Sequence, residues 1–197
     1  MGTKDTMSGR IVVVSGPSGV GKGTVLKEVF RKSDLPLELS VSATTRSPRP
    51  GEQNGVNYYF LTSEEFQERH KNGEFIECFE VFQGGEWYGT LKNEVDAKLR
   101  LGKWVVLEID VQGGLAVQKI YPESVMVFLR PKDAEVLRKR LEGRGTESEE
   151  AIARRFAKAN QELSYAGDYT HQIVNDNLET AVNEFCELLK NLEERKQ

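Results

Sequence analysis

From Ile11 the chain reads Ile-Val-Val-Val-Ser, and an unbroken β-branched run of this kind predicts a strand covered on both faces. A glycine-rich segment follows. Then Val25, Leu26, Val29 and Phe30 recur at helical spacing, so the glycines join a buried strand to the start of a helix. Leu37, Leu39, Val41 and Ala43 alternate with Glu38, Ser40, Ser42 and Thr44, the period of a half-buried strand. Prolines and a glycine make Thr45 to Gly51 a loop. Val56 to Leu61 predicts another strand, with Tyr58 and Phe60 on one face and Asn57 and Tyr59 on the other. Thr62 and Glu65 form a capping-box pattern that opens a helix to about Lys71, closed by Asn72-Gly73. Two further strands, Phe75 to Phe82 and Glu86 to Thr90, are joined at Gln83-Gly84-Gly85.

Helical periodicity resumes at Leu91, Val95 and Leu99. Trp104 to Asp110 is an apolar run ending in acids, Gln112-Gly113-Gly114 introduces a helix, and Val125 to Leu129 is a third buried strand. A highly charged stretch then predicts helices over 133–142 and 147–165, joined by Gly143-Arg144-Gly145, with Thr146 and Glu149 capping the second. His171 to Asn175 predicts a short strand. Leu178, Ala181, Val182, Phe185, Leu188, Leu189 and Leu192 draw the apolar stripe of a closing helix, with Asp176 and Glu179 as its capping box. Strands alternating with helices specify an α/β fold with a parallel sheet covered on both faces. The expected organisation is one domain: a core over 10–37, 91–130 and 166–197, a small mainly β lobe inserted at 38–90, and a helical piece at 131–165.

Composition narrows the class. The 197 residues are 38% hydrophobic and 29% charged, enough for one full core. A net charge of −4 argues against a surface built for duplex nucleic acid. Two cysteines, Cys78 and Cys186, suggest neither a disulfide framework nor a metal cluster, and the chain carries no apolar run long enough to span a membrane. A soluble, cytoplasmic protein is expected. His70 and His171 are isolated and are assigned no chemistry.

The chemistry concentrates in the glycine segment. Gly16, Pro17, Ser18, Gly19, Val20, Gly21, Lys22, Gly23 and Thr24 have the spacing of a Walker A loop. A helix start offers unpaired N–H donors and partial positive charge, the glycines let the backbone close around phosphate oxygens, and Lys22 adds a full charge. Gly23 stands where a Ser or Thr usually follows the lysine, and Thr24 comes one residue late. That suits an Mg²⁺ ion held mostly through nucleotide phosphates and water.

Taken together, GPSGVGKGT at 16–24, SVSATTRSPRPGE at 40–52, NGVNYYF at 54–60, EFIE at 74–77, WYGT at 87–90, EIDVQG at 108–113, RLEGRGTE at 140–147 and IVND at 173–176 resemble the guanylate kinase family. The resemblance runs from about Ile11 to the last helix. It implies a P-loop kinase core, a GMP-binding lobe at 38–90, a lid at 131–165, and transfer of the γ-phosphate of ATP to GMP, with dGMP as a further acceptor, in purine nucleotide metabolism and GMP recycling.

The same resemblance implies the site. Lys22 and the loop from Gly16 to Thr24 would hold the ATP phosphates, with Asn175 beside the adenine. Arg46, Arg49, Tyr58 and Tyr88 would grasp the GMP phosphate, and Arg46, Arg140, Arg144 and Arg155 would join Lys22 in stabilising the transferred group. Glu77 would read the guanine N–H donors, with Ser42, Thr90 and Asp110 near the base. Asp110 and Thr24 would be the protein groups nearest to Mg²⁺. The Gln83 to Glu86 turn is about two residues longer than the family pattern, and Arg138, Lys139 and Arg154 are expected on solvated faces. Two other readings stay open on the residues alone: a non-catalytic guanylate-kinase-like module that binds phosphopeptides, and a sister nucleoside monophosphate kinase, since Gly21-Lys22-Gly23-Thr24 is also the adenylate kinase form of the loop.

Overall fold

The computed structural model describes residues 9–81, 85–142 and 149–195. At its centre lies β1 (Arg10–Ser15), flanked by β7 (Trp104–Glu108) and β8 (Val125–Arg130), with β2 (Leu37–Leu39) and β9 (His171–Val174) at the edges. All four pairings are parallel, in the order β2-β7-β1-β8-β9. Successive β1 residues fill opposite sides. Val12 and Val14 pack with α1 (Lys22–Lys32) and α7 (Leu178–Glu194), while Ile11 and Val13 join a cluster with α3 (Lys92–Arg100) and α4 (Val111–Ile120). This two-sided burial is why the run carries no polar alternation.

A second sheet is inserted between β2 and α3. Its order is β4-β3-β6-β5, from β3 (Ala43–Thr44), β4 (Tyr59–Phe60), β5 (Phe75–Val81) and β6 (Glu86–Leu91). Helix α2 (Ser63–Lys71) closes it, with Phe66 stacked on Phe75 at 4.4 Å between ring centroids. The capping box of Thr62 and Glu65 is present as expected.

Three boundaries differ from the sequence reading. The single strand expected over Leu37 to Ala43 is two strands in different sheets. Between them the Ser40 amide still bonds to Val106 O in the central sheet, but the Val41 amide turns to the Glu94 carboxylate, so the chain changes sheets while its alternation continues. The inserted layer therefore begins after Leu39. The strand expected over Val56 to Leu61 shrinks to Tyr59–Phe60, because turns at Gln53 to Asn57 use the preceding backbone groups. The last helix is capped by Asn177, whose side chain accepts from the Thr180 amide at 3.0 Å, rather than by Asp176, which pairs instead with Lys132.

The charged stretch forms α5 (Ala134–Glu142) and α6 (Glu149–Leu163), and α6 runs on into a 3₁₀ turn at Ser164–Asp168. Gly143 to Ser148, and with them Arg144 and the Thr146 cap, lie outside the described residues, as do Phe82 to Gly84 of the β5–β6 turn. Among the described residues no helix is long and apolar enough to cross a membrane.

Candidate active site

The glycine loop leaves the carboxyl end of β1 and is shaped by contacts that no side chain could share. Gly16 has φ 151°, and a Cβ there would lie 2.1 Å from the Leu129 carbonyl oxygen of β8. Gly21 has φ 93° and is the residue before the first turn of α1, where no side chain caps the helix. The loop is braced from beneath by the buried Asn175, whose amide nitrogen donates to Val20 O at 2.8 Å. The amides that open α1 thus present themselves as an anion site. Gly16→Ala is expected to cost about 2–5 kcal/mol in urea unfolding, combining backbone strain with a collision against strand backbone; a loss below about 1 kcal/mol would contradict this packing.

Lys22 is folded back over the loop, its Nζ donating to Gly16 O at 2.7 Å and Pro17 O at 3.4 Å. Burial lowers its pKa from the ordinary lysine value, and the charges of Glu108, Glu162 and Asp110 pull it partly back. Glu108 ends β7 at the mouth of the loop. A Cβ on Gly23 would stand 3.7–3.8 Å from its carboxylate oxygens.

At the other end of the cleft lies Glu77, paired across the β5–β6 ladder with Thr90. Thr90 Oγ1 donates to Glu77 Oε1 at 2.6 Å, and the glutamate is only 9% exposed. Burial, aided by the nearby Asp110 charge and opposed by the Thr90 bond, pushes its pKa up to about 7. Asp110 caps α4 by accepting from the Gly113 amide at 2.8 Å, and Gly113 itself lies so close that a Cβ would come 3.1 Å from Glu77 Oε2. A carboxylate in such a place can accept two N–H bonds from a planar ring and would repel a ring acceptor.

The two ends are one space. A cleft of about 680 Å³ along the glycine loop and a pocket of about 260 Å³ beside Glu77 share Ser42, Tyr58, Glu108, Ile109 and Asp110 in their walls. Tyr88 and the exposed Lys158 complete the smaller one. Arg46 sits behind the tyrosines. Its Nε donates to Tyr88 Oη at 3.2 Å, and its guanidinium lies over the rings of Tyr58 and Phe60. Tyr58 and Phe60 are thus on one face, as their alternation predicts. Arg49 is exposed on the same loop.

Across the cleft, two of the arginines singled out in the sequence touch the loop directly. Arg140 Nη1 donates to Val20 O at 3.2 Å, and Arg155 Nη2 donates to Ser18 Oγ at 3.1 Å. Arg138 and Lys139 pair on the outside with Glu142 and Glu135, and Arg154 is exposed, so the expected solvated face is where the sequence puts it.

Four residues in this arrangement were not picked out by sequence reasoning: Glu52, which pairs with Arg46 at 3.0 Å, Glu108, Lys158 and Glu162. Glu162 accepts from the Ser18 amide at 3.1 Å. Its spacing from Arg155, seven residues and so two helical turns on one face, was the signal available. Among the described residues no group of three or more His, Cys, Asp or Glu side chains is gathered for a metal ion.

Comparison with known proteins gives one answer. A family profile described as "Guanylate kinase" matches residues 8–192. The chain is 49% identical over 189 residues to a guanylate kinase of Rhodopirellula baltica, covering 95% of this chain and 90% of that protein. It is 46% identical over 183 residues to a guanylate kinase of Fusobacterium nucleatum subsp. nucleatum, covering 93% and 97%. The crystal structure of guanylate kinase from Anaplasma phagocytophilum superposes with a TM-score of 0.74 at 32% identity, covering 93% of this chain and 85% of that one. With a phosphate-type glycine loop and a buried carboxylate facing one cleft, and with relatives matched over nearly their whole length, the chain belongs to the guanylate kinase family.

Proposed function

We propose that this chain transfers the γ-phosphate of ATP to GMP, giving ADP and GDP. The observation that carries the reading is the continuous cleft with the Lys22 loop at one end and the buried Glu77 at the other. Two nucleotides laid end to end in such a cleft meet at their phosphates. In this reading the loop from Gly16 to Thr24, with Lys22 and the amides that its own bonds leave open, holds the ATP phosphates, and Asn175 keeps the loop in shape. Arg46, Arg49, Tyr58 and Tyr88 hold the acceptor phosphate. Glu77, with Ser42, Thr90 and Asp110, reads the guanine.

The acceptor phosphate has a second pKa near 6, so at neutral pH it is already largely ionised and needs no general base. What the protein supplies is position and positive charge in a site closed to water. Lys22, Arg46, Arg140, Arg144 and Arg155 are the cations assigned to that task, with 131–165 assigned as the lid, in which α5 carries Arg140 and α6 carries Arg155.

The donor set fits Mg²⁺ held mainly by phosphates and water. Glu108, Asp110 and Thr24 share the wall of the larger cleft, and one or two carboxylates are what such an ion ordinarily takes from a protein. When bound, it neutralises charge on the transferring phosphate. The inserted sheet is assigned as the GMP lobe.

The test is ADP formation from MgATP with GMP, AMP, CMP and UMP offered separately at equal concentration. Turnover with GMP alone is expected. Turnover with a different monophosphate would make the chain a sister kinase, and none from a folded sample would favour a phosphate-binding module.

A further inference from the structure

Arg46 is held on every side by protein groups, and one of them acts on a second position as well. Besides the Tyr88 contact and the rings of Tyr58 and Phe60, its Nη1 donates to Ser47 O at 2.7 Å and its Nη2 to Glu52 Oε1 at 3.0 Å. Glu52 Oε2 accepts from the Arg49 amide at 2.7 Å, and the Glu52 amide donates back to Arg49 O at 3.0 Å. The segment Arg49-Pro50-Gly51-Glu52 is therefore a closed turn with proline second and glycine third, and Gly51 has φ 87°, the type II arrangement. The turn aims the carboxylate back at both arginine positions. The pair leaves the Arg46 side chain 10% exposed and that of Glu52 20% exposed. The bond to Glu52 raises the Arg46 pKa, and Glu52 is correspondingly held below the usual carboxylate range, first by Arg46 and then by the Arg49 amide.

We propose that Glu52 is a positioning residue for the acceptor phosphate: one carboxylate fixes the guanidinium of Arg46 and the backbone of Arg49 together, so that the two forks face a phosphate as a set. This rests on the reading of the Arg46 loop as the acceptor-phosphate site. The physical argument turns on two opposed effects. An arginine side chain unfixed by neighbours loses rotamer freedom when it grips a ligand, and fixing it beforehand removes that loss. A carboxylate beside a phosphate also repels it. The geometry favours the first effect, because both Glu52 oxygens are engaged by the loop itself and the turn geometry, independent of Arg46, holds the carboxylate in place.

The two effects predict opposite signs, which makes the test decisive. In Glu52→Ala, the KM for GMP is expected to rise on the order of 10- to 100-fold, the range over which outer partners of ligand-binding groups act. The KM for ATP should stay within about twofold, and kcat, which Arg46 also serves, should fall by less than the rise in the GMP KM, so that the change falls mainly on binding of the acceptor. Guanosine, which lacks the phosphate, should compete with GMP as well against the variant as against wild type. Glu52→Gln, which keeps an oxygen acceptor, should recover most of the affinity and serves if the alanine variant fails to fold. A GMP KM that is unchanged or lower in the folded variants would overturn the proposal, marking Glu52 as a bystander or as a stand-in for phosphate. Equal weakening of guanosine would overturn it as well, since the loop would then be supporting the base site. A wild-type protein with no GMP turnover would instead remove the functional reading on which the proposal stands.

Discussion

Lys22→Met is expected to lower kcat by about 10³-fold, the scale at which a single pre-placed donor acts on developing charge. Lys22 is the cation most deeply placed in the loop, and its ammonium is bonded only to the loop's own carbonyls in the described contacts, at Gly16 and Pro17. Both are neutral carbonyl acceptors, which a charged phosphate oxygen can replace with a stronger bond. Methionine fills similar volume with no donor, so the loss falls on charge rather than packing. The fold should survive. The substitution removes two hydrogen bonds but also removes the cost of burying an ammonium, the same burial that lowers the lysine pKa. A coupled assay of ADP release against thermal denaturation separates the two. Undiminished turnover in a folded Lys22→Met protein would sink the phosphate assignment of the loop.

Glu77→Ala is expected to cut kcat/KM for GMP by about 10²- to 10³-fold while leaving AMP little changed or improved, so that discrimination collapses from both sides. The magnitude follows from two hydrogen bonds to a charged acceptor at about 1.5–3 kcal/mol each, less partial compensation by water. Competing-substrate assays at equal GMP and AMP would measure it, and retained preference for GMP would end the base-reading role. The same residue should give a pH signature. Its pKa of about 7 means the accepting form is the minority below neutrality, so guanosine inhibition should strengthen as pH rises from 6 to 8 and stay flat in Glu77→Gln. Guanosine avoids the titration of the GMP phosphate. For stability the sign is reversed: a carboxyl whose folded pKa is raised favours the fold fully below its unfolded value near 4.5, and that contribution is lost as pH climbs to about 7.

The core was readable because its signal is local. Val12 to Val14 bury on two faces, so their unbroken apolarity names the strand, and the glycines after them must take up backbone forms that few other residues accept. The change of sheet at Ser40 to Ser42 was not readable, since a two-residue period records which side is buried and says nothing about which strand lies alongside. Nor was the offset from Asp176 to Asn177, where three consecutive residues, Asn175, Asp176 and Asn177, are all good caps. The acids Glu52, Glu108 and Glu162 were passed over for a different reason. Their importance comes from what faces them, and the amide bonded by Glu162 lies 144 residues away in the chain. Arg140 and Arg155, by contrast, were separable from neighbouring arginines only through the family pattern, and both of these side chains contact the glycine loop.

The inserted sheet meets the rest along β5, where Ile76 joins the core cluster of α3 and α4, and at its two chain crossings. The chain enters through Ser40 to Ser42 and leaves through Leu91 into α3, and both crossings are tied to that one helix: Glu94 accepts from the Val41 amide and from Tyr59, and Lys98 bonds to Leu39 O and to Glu94. Glu77, Thr90, Arg46 and Glu52 all lie on the inserted side, while Lys22 and its loop lie on the other. In the proposed reading, most of the groups that choose the acceptor, Asp110 at the cap of α4 excepted, are therefore written in a different stretch of gene from the loop that holds the donor phosphates. A lineage could exchange the stretch between residues 40 and 91 as a cassette, inheriting a new appetite for substrate while its engine stayed as it was.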